Sequence, residues 1–203
     1  MTSTVVSSGP SGFRIFQPTS VGLLRAGMRT FRNTPRMDHA VARDIGHRWM
    51  AAWNAKDADS LLELVTDDIA YDDPAWPETL HGREGVRTFV EFCWRGMPDM
   101  RFTEPMGMFF AQDGPRMIAP WHMSATFSGE MDPPGYAPTR DRIELDGIDV
   151  WELRGDKVCR YWAYYDAMEI GRQTGILPAR GSRAERMSVK LQRVMAKRRA
   201  ARA

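Results

Sequence analysis

Residues 67–86 of the chain read DDIAYDDPAWPETLHGREGV and combine a short strand, a proline-marked loop and the start of a helix. Residues 69–72 predict the strand. It must end before Pro74, because proline restricts the residue preceding it and cannot donate a backbone hydrogen bond. From Gly82 onward, apolar residues recur at helical spacing with charges between them, which predicts an amphipathic helix over 82–96.

Two further helices are predicted before this stretch. Asp38 is a good N-cap, and Ile45 and Trp49 belong to an apolar series at helical spacing through residue 54. Residues 60–65 predict a short second helix. Three helices therefore occupy the N-terminal half of the folded part.

From residue 99 onward the pattern changes to strands separated by turns. Asp166 and Glu169 then form a capping-box arrangement, which predicts a short final helix ending before Gly175 and Pro178. Helices followed by an antiparallel meander indicate an α+β domain. The strands are predicted at 100–104, 107–111, 116–127, 141–153 and 157–165.

The formal net charge of +2 conceals a strong asymmetry along the chain. Residues 1–37 carry five Arg and no acid, residues 180–203 carry nine Lys or Arg and one Glu, and residues 38–179 consequently carry −11. We therefore predict a leader over 1–37, one folded domain over 38–179 and a basic tail over 180–203. The basic charge belongs to the ends, so we expect no nucleic acid to bind the core domain.

The two ends allow alternative interpretations. The leader is either a disordered segment, with Met28 or Met37 as the natural start, or an Arg- and Ser-rich organelle transit peptide. We expect a cytoplasmic protein in the first case and an organelle-targeted one in the second. The tail is either solvated or a helix that contacts an anionic surface, a partner helix or the acidic domain.

Asp73 is the first candidate catalytic residue. Alternation places Tyr71 and Asp73 on one face of the short strand and Asp72 on the other. If that face is concave, desolvation raises the pKa of Asp73 and makes it a candidate general base. The alternative is a loop carboxylate that caps local backbone.

Asp149 is the second candidate, because it interrupts the apolar strand LDGIDVWEL at residues 145–153. It shares a face with Gly147 and Trp151. An acid is almost never buried without a partner, so Asp149 either meets one or lines a wet cavity. The alternative is a strand-edge side chain facing solvent.

His122 lies on a predicted long strand and is the third candidate, with a role in orienting a carboxylate or a substrate oxygen. A structural histidine is the alternative. No HxH or HxxxH spacing occurs, so we expect no metal site. Nucleophile-elbow, Walker and GxGxxG motifs are absent from the sequence as well.

The chain resembles the SnoaL-like, polyketide cyclase or ester cyclase branch of the nuclear transport factor 2-like superfamily. The resemblance implies a cone-shaped, curved antiparallel sheet (an α+β barrel) wrapped by three N-terminal helices around a single pocket. It also implies a homodimer and a reaction without metal or organic cofactor. The segments that carry the resemblance are 67–74, 81–86, 133–140, 147–151, 164–166 and 172–178.

Two related families can be matched position by position. Ketosteroid isomerases place a general-base Asp where Asp73 stands and a protonated, hydrogen-bond-donating Asp, kept neutral by an apolar site, where Asp149 stands. Their oxyanion-hole tyrosine matches Trp49, whose indole N–H differs from a phenol in reach and acidity, which argues against steroid isomerisation. Limonene-epoxide-hydrolase-like members require an acid where this chain has Ala163, which argues against epoxide hydrolysis by such a pair.

We therefore expect a cofactor-independent lyase or isomerase that acts on a hydrophobic, carbonyl-bearing ring compound. Asp73 would be the base, Asp149 would stabilise the enolate oxygen and His122 would orient. A non-catalytic module that binds a small molecule or a partner in the same pocket is the rival expectation. The predicted substrate-binding walls are Trp49, Tyr71, Trp76, Trp121 and Trp151.

Overall fold

The computed structural model describes residues 37–132 and 134–202, so the predicted leader lies outside the described residues except for Met37. The helices are α1 (His39–Ala55), α2 (Ala58–Glu63), α3 (Gly82–Gly96), α4 (Ala167–Gln173) and α5 (Arg183–Ala200). The strands are β1 (Val65–Asp72), β2 (Leu80–His81), β3 (Arg101–Thr103), β4 (Phe109–Phe110), β5 (Arg116–Thr126), β6 (Arg142–Arg154) and β7 (Lys157–Tyr165).

Helix α1 begins where its cap residue predicts. The Asp38 carboxylate accepts from the backbone N–H of Ala40 at 2.8 Å, which satisfies a donor that the first helical turn leaves free. The buried face of α1 includes Ile45, Trp49 and Trp53. Helix α1 therefore turns its tryptophans toward the sheet and its charged residues toward solvent.

The seven strands form one curved, open sheet in the order β2-β1-β7-β6-β5-β3, with β4 paired to the end of β5. This confirms the α+β class, the curved sheet and the three helices before the meander. One pairing differs from the predicted antiparallel sheet, because β1 and β7 run parallel. Strands that lie far apart in the chain can pair in parallel, since the intervening elements supply the long crossover.

Strands β5, β6 and β7 are long and alternate between buried and exposed positions. Their buried side chains face the helices and form the core, whereas the other set lies on the outer face. The alternation read from the sequence thus separates a concave, core-facing side of the sheet from a convex, outer side.

Two helices follow the sheet. Helix α4 is capped by Asp166, which accepts from the backbone N–H of Glu169 at 3.0 Å as the capping box predicts. Helix α5 occupies most of the basic tail, and none of its residues is buried. Among the residues that the structure describes, no helix has the length and hydrophobicity to cross a membrane.

Candidate functional site

The concave face of the sheet and helices α1, α3 and α4 surround a cavity of about 390 Å³. Aromatic rings supply much of its wall, and six methionines line it as well. Such a lining suits a flat apolar ligand, because rings provide large contact area and methionine adapts its shape. The methionines are Met50, Met97, Met100, Met108, Met123 and Met131.

Cross-strand register explains where the open space lies. Trp121, Gly147 and Tyr165 form one row across β5, β6 and β7. Two residues further along the strands, Asp149 stands between Ala119 and Ala163. The next row on the same face contains bulky residues again: Met117, Trp151 and Tyr161. Asp149 therefore sits between two alanines in a gap between aromatic rows.

The Asp149 side chain is held by two donors. It is only 5% exposed, and its Oδ1 accepts from Trp121 Nε1 at 2.7 Å and from Tyr161 Oη at 2.8 Å. Both hydrogen bonds converge on Oδ1, so a proton bound by this carboxyl occupies Oδ2. A protonated Asp149 is then a hydrogen-bond donor whose orientation is set by two fixed partners.

Asp73 follows the last residue of β1 and lines the same cavity. Its Oδ1 accepts from Tyr165 Oη at 2.6 Å and from the backbone N–H of Ala75 at 2.8 Å. Strands β1 and β7 pair in parallel, so their C-terminal ends lie on the same side of the sheet. This places Asp73, which follows β1, beside Tyr165 at the end of β7. Asp72 takes the opposite face and pairs with Arg160, as alternation predicts.

Burial raises the pKa of both carboxyl groups. The pKa of Asp149 rises to about 7, and the hydrogen bonds from Trp121 and Tyr161 offset part of the desolvation that causes the rise. The pKa of Asp73 rises to about 6, again through desolvation, opposed by Tyr165 and the Ala75 N–H. Negative charge on Asp73 raises the pKa of Asp149 further. With these values, Asp149 is the more readily protonated of the two.

The buried phenols and the buried thiol of the cavity remain protonated. Burial raises the pKa values of the Tyr71 and Tyr161 phenols and of the Cys93 thiol well above their ordinary ranges, and it raises that of Tyr165 as well. The phenols are therefore hydrogen-bond donors, and Cys93 lacks the thiolate that a nucleophile requires. Proton transfer at the carboxyl groups is the chemistry that this arrangement supports.

Four of the five predicted wall residues line the cavity. Trp49 lies between Trp151 and Tyr161, with ring centroids 5.0 and 5.4 Å away. Tyr71 stacks on Tyr161 with centroids 4.0 Å apart, and its buried hydroxyl has no hydrogen-bond partner among the described residues. The indole that donates to Asp149 belongs to Trp121 rather than to Trp49.

Trp76 is the fifth predicted wall residue, and it stands behind the wall. Its ring packs edge-on against Phe92 with centroids 5.4 Å apart, and Phe92 is the residue that faces the cavity. The prediction that Trp76 contacts a ligand directly is corrected accordingly.

His122 lies on the outer face of the sheet. Its Nδ1 is 2.8 Å from Oδ1 of Asp146, its cross-strand partner, whereas the neighbouring Trp121 faces the cavity. The prediction that His122 orients a substrate in the cavity is corrected, because strand alternation sends adjacent residues to opposite faces. His122 is one half of a surface pair with Asp146.

Tyr161 and Tyr165 were not among the predicted site residues, yet each donates to one of the two carboxyl groups. Alternation along β7 places both on the same face as Ala163, so the sequence contained a signal for their shared orientation. The sequence did not indicate which carboxyl groups these two tyrosines contact. The contacts follow from the pairing of β7 with both β1 and β6.

Within residues 37–132 and 134–202, no group of three or more His, Cys, Asp or Glu side chains is arranged so that it could hold a metal ion. No curated protein of known function matches this sequence. The sequence family described as the SnoaL-like domain matches residues 47–161, which is more than half of the chain.

Solved structures agree with that family. TsrD from Streptomyces laurentii is 20% identical with a TM-score of 0.60, and the match covers 70% of this chain and 99% of that one. A candidate polyketide cyclase from Pseudomonas putida is 20% identical with a TM-score of 0.59, covering 66% and 97%. A protein with a ketosteroid isomerase-like fold from Catenulispora acidiphila is 22% identical with a TM-score of 0.55, covering 68% and 97%.

The curved sheet around an apolar cavity has the nuclear transport factor 2-like fold, in the form shared by cyclase- and isomerase-type domains. Within that class, the chain belongs to the SnoaL-like domain family.

Proposed function

We propose that the protein is a cofactor-independent lyase or isomerase that removes a proton next to the carbonyl of a hydrophobic ring compound. One observation supports this proposal above all. Two carboxyl groups face the same apolar cavity, each fixed by a tyrosine hydroxyl and each with a pKa raised toward neutrality. Groups that titrate near the working pH are suited to acid–base catalysis.

Asp73 is the proposed general base. It has the lower pKa of the pair, so at neutral pH it is the carboxylate of the two that is mainly ionised. It takes a proton from the carbon next to the substrate carbonyl, and the electron pair of the broken C–H bond passes into the enolate. The hydrogen bond from Tyr165 holds the accepting carboxylate in place.

Asp149 is the proposed donor to the enolate oxygen. With Oδ1 occupied by Trp121 and Tyr161, its proton lies on Oδ2 and is available to an oxygen in the cavity. In an isomerase, Asp73 returns the proton to a different carbon of the same ring system. In an aldol-type cyclase, the enolate carbon attacks a second carbonyl of the substrate, and the alkoxide formed takes up the proton that Asp73 removed.

The substrate class follows from the shape and polarity of the cavity. Its volume of about 390 Å³ falls in the range of small-molecule sites, roughly 300–1,000 Å³. The gap above Asp149, between Ala119 and Ala163, leaves room for a carbonyl oxygen beside the aromatic rows. The neighbour from Pseudomonas putida, a candidate polyketide cyclase, also favours a carbonyl-rich ring substrate.

Solvent deuterium exchange tests the proposal without knowledge of the natural substrate. Incubation in D₂O with a panel of enolisable cyclic ketones should label the carbon next to the carbonyl. Asp73→Asn should lower the exchange rate by roughly 10²–10⁴. Asp72→Asn is the matched control, because the neighbouring carboxylate lies on the other face with Arg160 and should leave exchange unchanged.

Binding without exchange would contradict the catalytic proposal. If tryptophan fluorescence shifts on titration with the same compounds while wild-type protein labels none of them, the cavity belongs to a non-catalytic binding module. Equal exchange rates for wild type and Asp73→Asn would show that Asp73 is not the general base.

A further inference from the structure

Helix α5 is formed by its own local signals, and none of its residues is buried. Ser182 caps it by accepting from the backbone N–H of Glu185 at 3.0 Å, and the Glu185 carboxylate accepts from the N–H of Gly181 at 2.6 Å. Lys197, Arg198 and Arg199 occupy its last turn, where positive charge is favourable. The cap uses the single acidic residue of the helix.

One side of α5 is an exposed apolar stripe. Met187, Leu191, Val194 and Met195 recur at helical spacing within an arc of about 100°. Met187 and Leu191 are 71% and 62% exposed, and the other two are close to half exposed. A stripe of this kind on a helix without buried residues is available to a partner.

Positive charge lies directly beside the stripe. Arg186, Lys190, Arg193 and Lys197 repeat at the same spacing, and the first three each directly precede an apolar residue of the stripe. The opposite side of the helix is mixed and includes Gln192 and Ala196. Apolar and basic rows thus run side by side along the length of α5.

We propose that α5 is an interfacial helix that docks the protein on an anionic lipid surface. The apolar row enters the boundary between headgroups and acyl chains, and the basic row contacts lipid phosphates and carboxylates. The binding of an interfacial helix depends on both terms together, so neither row alone is sufficient.

Charge complementarity selects this occupant over two others. Pairing of α5 with α5 of a second copy would bring two strongly basic helices together along the stripe, with Lys190 and Lys197 beside it in each. A nucleic acid would satisfy the basic row and leave Leu191 and its neighbours in water. A lipid surface satisfies both rows.

Flotation of the full chain with vesicles tests the proposal. The vesicles contain phosphatidylcholine with roughly one-third phosphatidylserine, which carries the negative surface potential that basic segments bind. The protein should float with these vesicles, should not float with pure phosphatidylcholine, and should be released as the salt concentration rises.

Two pairs of substitutions test the contributions of the apolar row and of the basic row separately. Leu191→Gln with Met195→Gln removes the apolar row, and Lys190→Gln with Arg193→Gln thins the basic row. Each pair should weaken vesicle binding by roughly tenfold or more. Glutamine keeps helix propensity close to that of the residues replaced, and circular dichroism checks that helicity is retained.

Two off-row substitutions are the controls: Val189→Gln and Arg199→Gln, which remove an exposed apolar and an exposed basic side chain from other sides of α5. Each should change binding less than twofold. Unchanged vesicle binding by the Leu191→Gln, Met195→Gln variant would overturn the proposal, because the helix would then act only as a polycation. So would equal binding to neutral vesicles, or preference for a single-stranded polynucleotide over the anionic vesicles.

Discussion

The indole N–H of Trp121 donates to Oδ1 of Asp149 across the β5–β6 strand pair at 2.7 Å. The two residues are diagonal neighbours, because Trp121 lies directly opposite Gly147 in the register. A Cβ atom on Gly147 would come within 2.3 Å of the Trp121 ring. The absence of a side chain at Gly147 therefore allows the ring to reach Asp149.

The first prediction concerns this glycine. Gly147→Ala should displace the Trp121 ring, destabilise the fold by about 1–3 kcal/mol through overpacking and raise the pKa of Asp149 further by removing a donor. Thermal denaturation and carboxyl-carbon NMR measure the two effects. Combining Gly147→Ala with Trp121→Ala should cost less than the sum of the single changes. Additive costs would show that the ring is not what the new methyl group meets.

The second prediction ranks substitutions of Asp149. Asp149→Asn retains a donor of similar shape, so it should reduce exchange or turnover distinctly less than Asp149→Leu, which retains none. Single-turnover kinetics on a compound found in the exchange screen provide the measurement. Equal and small losses for both variants would mean that the carboxyl group is structural.

The third prediction is a bell-shaped dependence of kcat/KM on pH. Activity should rise as Asp73 ionises around its pKa of about 6 and fall as Asp149 loses its proton around its pKa of about 7, so the maximum should lie between them. The observed values belong to the interacting pair. Asp149→Asn should remove the descending limb, and a descending limb that persists would assign that proton to another group.

The fourth prediction concerns stability. The pKa of Asp149 is higher in the folded protein than in the unfolded chain, so its contribution to stability is fully present below the unfolded pKa. The contribution is lost as pH rises through about 7. The loss is of the order of 4 kcal/mol, from about 1.4 kcal/mol per unit of pKa shift.

Urea unfolding of wild type and Asp149→Asn between about pH 4 and pH 8 measures this loss. The neutral amide cannot ionise, so the variant should gain stability relative to wild type as pH increases. Contributions from acids that do not interact with Asp149 are common to both proteins and cancel in the difference, whereas the coupling between Asp149 and Asp73 remains in it. A constant difference across the pH range would show that Asp149 titrates alike in both states.

The fifth prediction concerns assembly. Ile118, Ile148 and Tyr164 are exposed on the outer face of neighbouring strands, and we propose that two copies of the chain pack through this face. Ile148→Lys should weaken the dimer at least tenfold, because a buried, unpaired charge is costly. Met106→Lys is the control, since Met106 is exposed outside the sheet. Sedimentation of all three proteins over a concentration series gives the result, and a monomeric wild type would contradict it.

Local sequence was sufficient for helices α1 and α3, for the long strands and for the face of a strand on which a side chain lies. The Asp38 and Asp166 caps, the alternation along β6 and the turn into α3 each depend on residues within a few positions of one another. Interactions over such short distances are encoded by the order of residues. For this reason the sequence indicated that Asp149 shares a face with Gly147 and Trp151.

Tertiary structure alone decided which residues meet. Tyr165 reaches Asp73 only because β1 and β7, far apart in the chain, pair in parallel, and Tyr161 and Trp121 converge on Asp149 from two different strands. In the folded protein His122 lies on the outer face of the sheet, and Trp76 packs behind Phe92. Sequence periodicity specifies an orientation relative to a strand. The partner across the cavity depends on strand order and curvature, which arise when distant segments bury their apolar faces together.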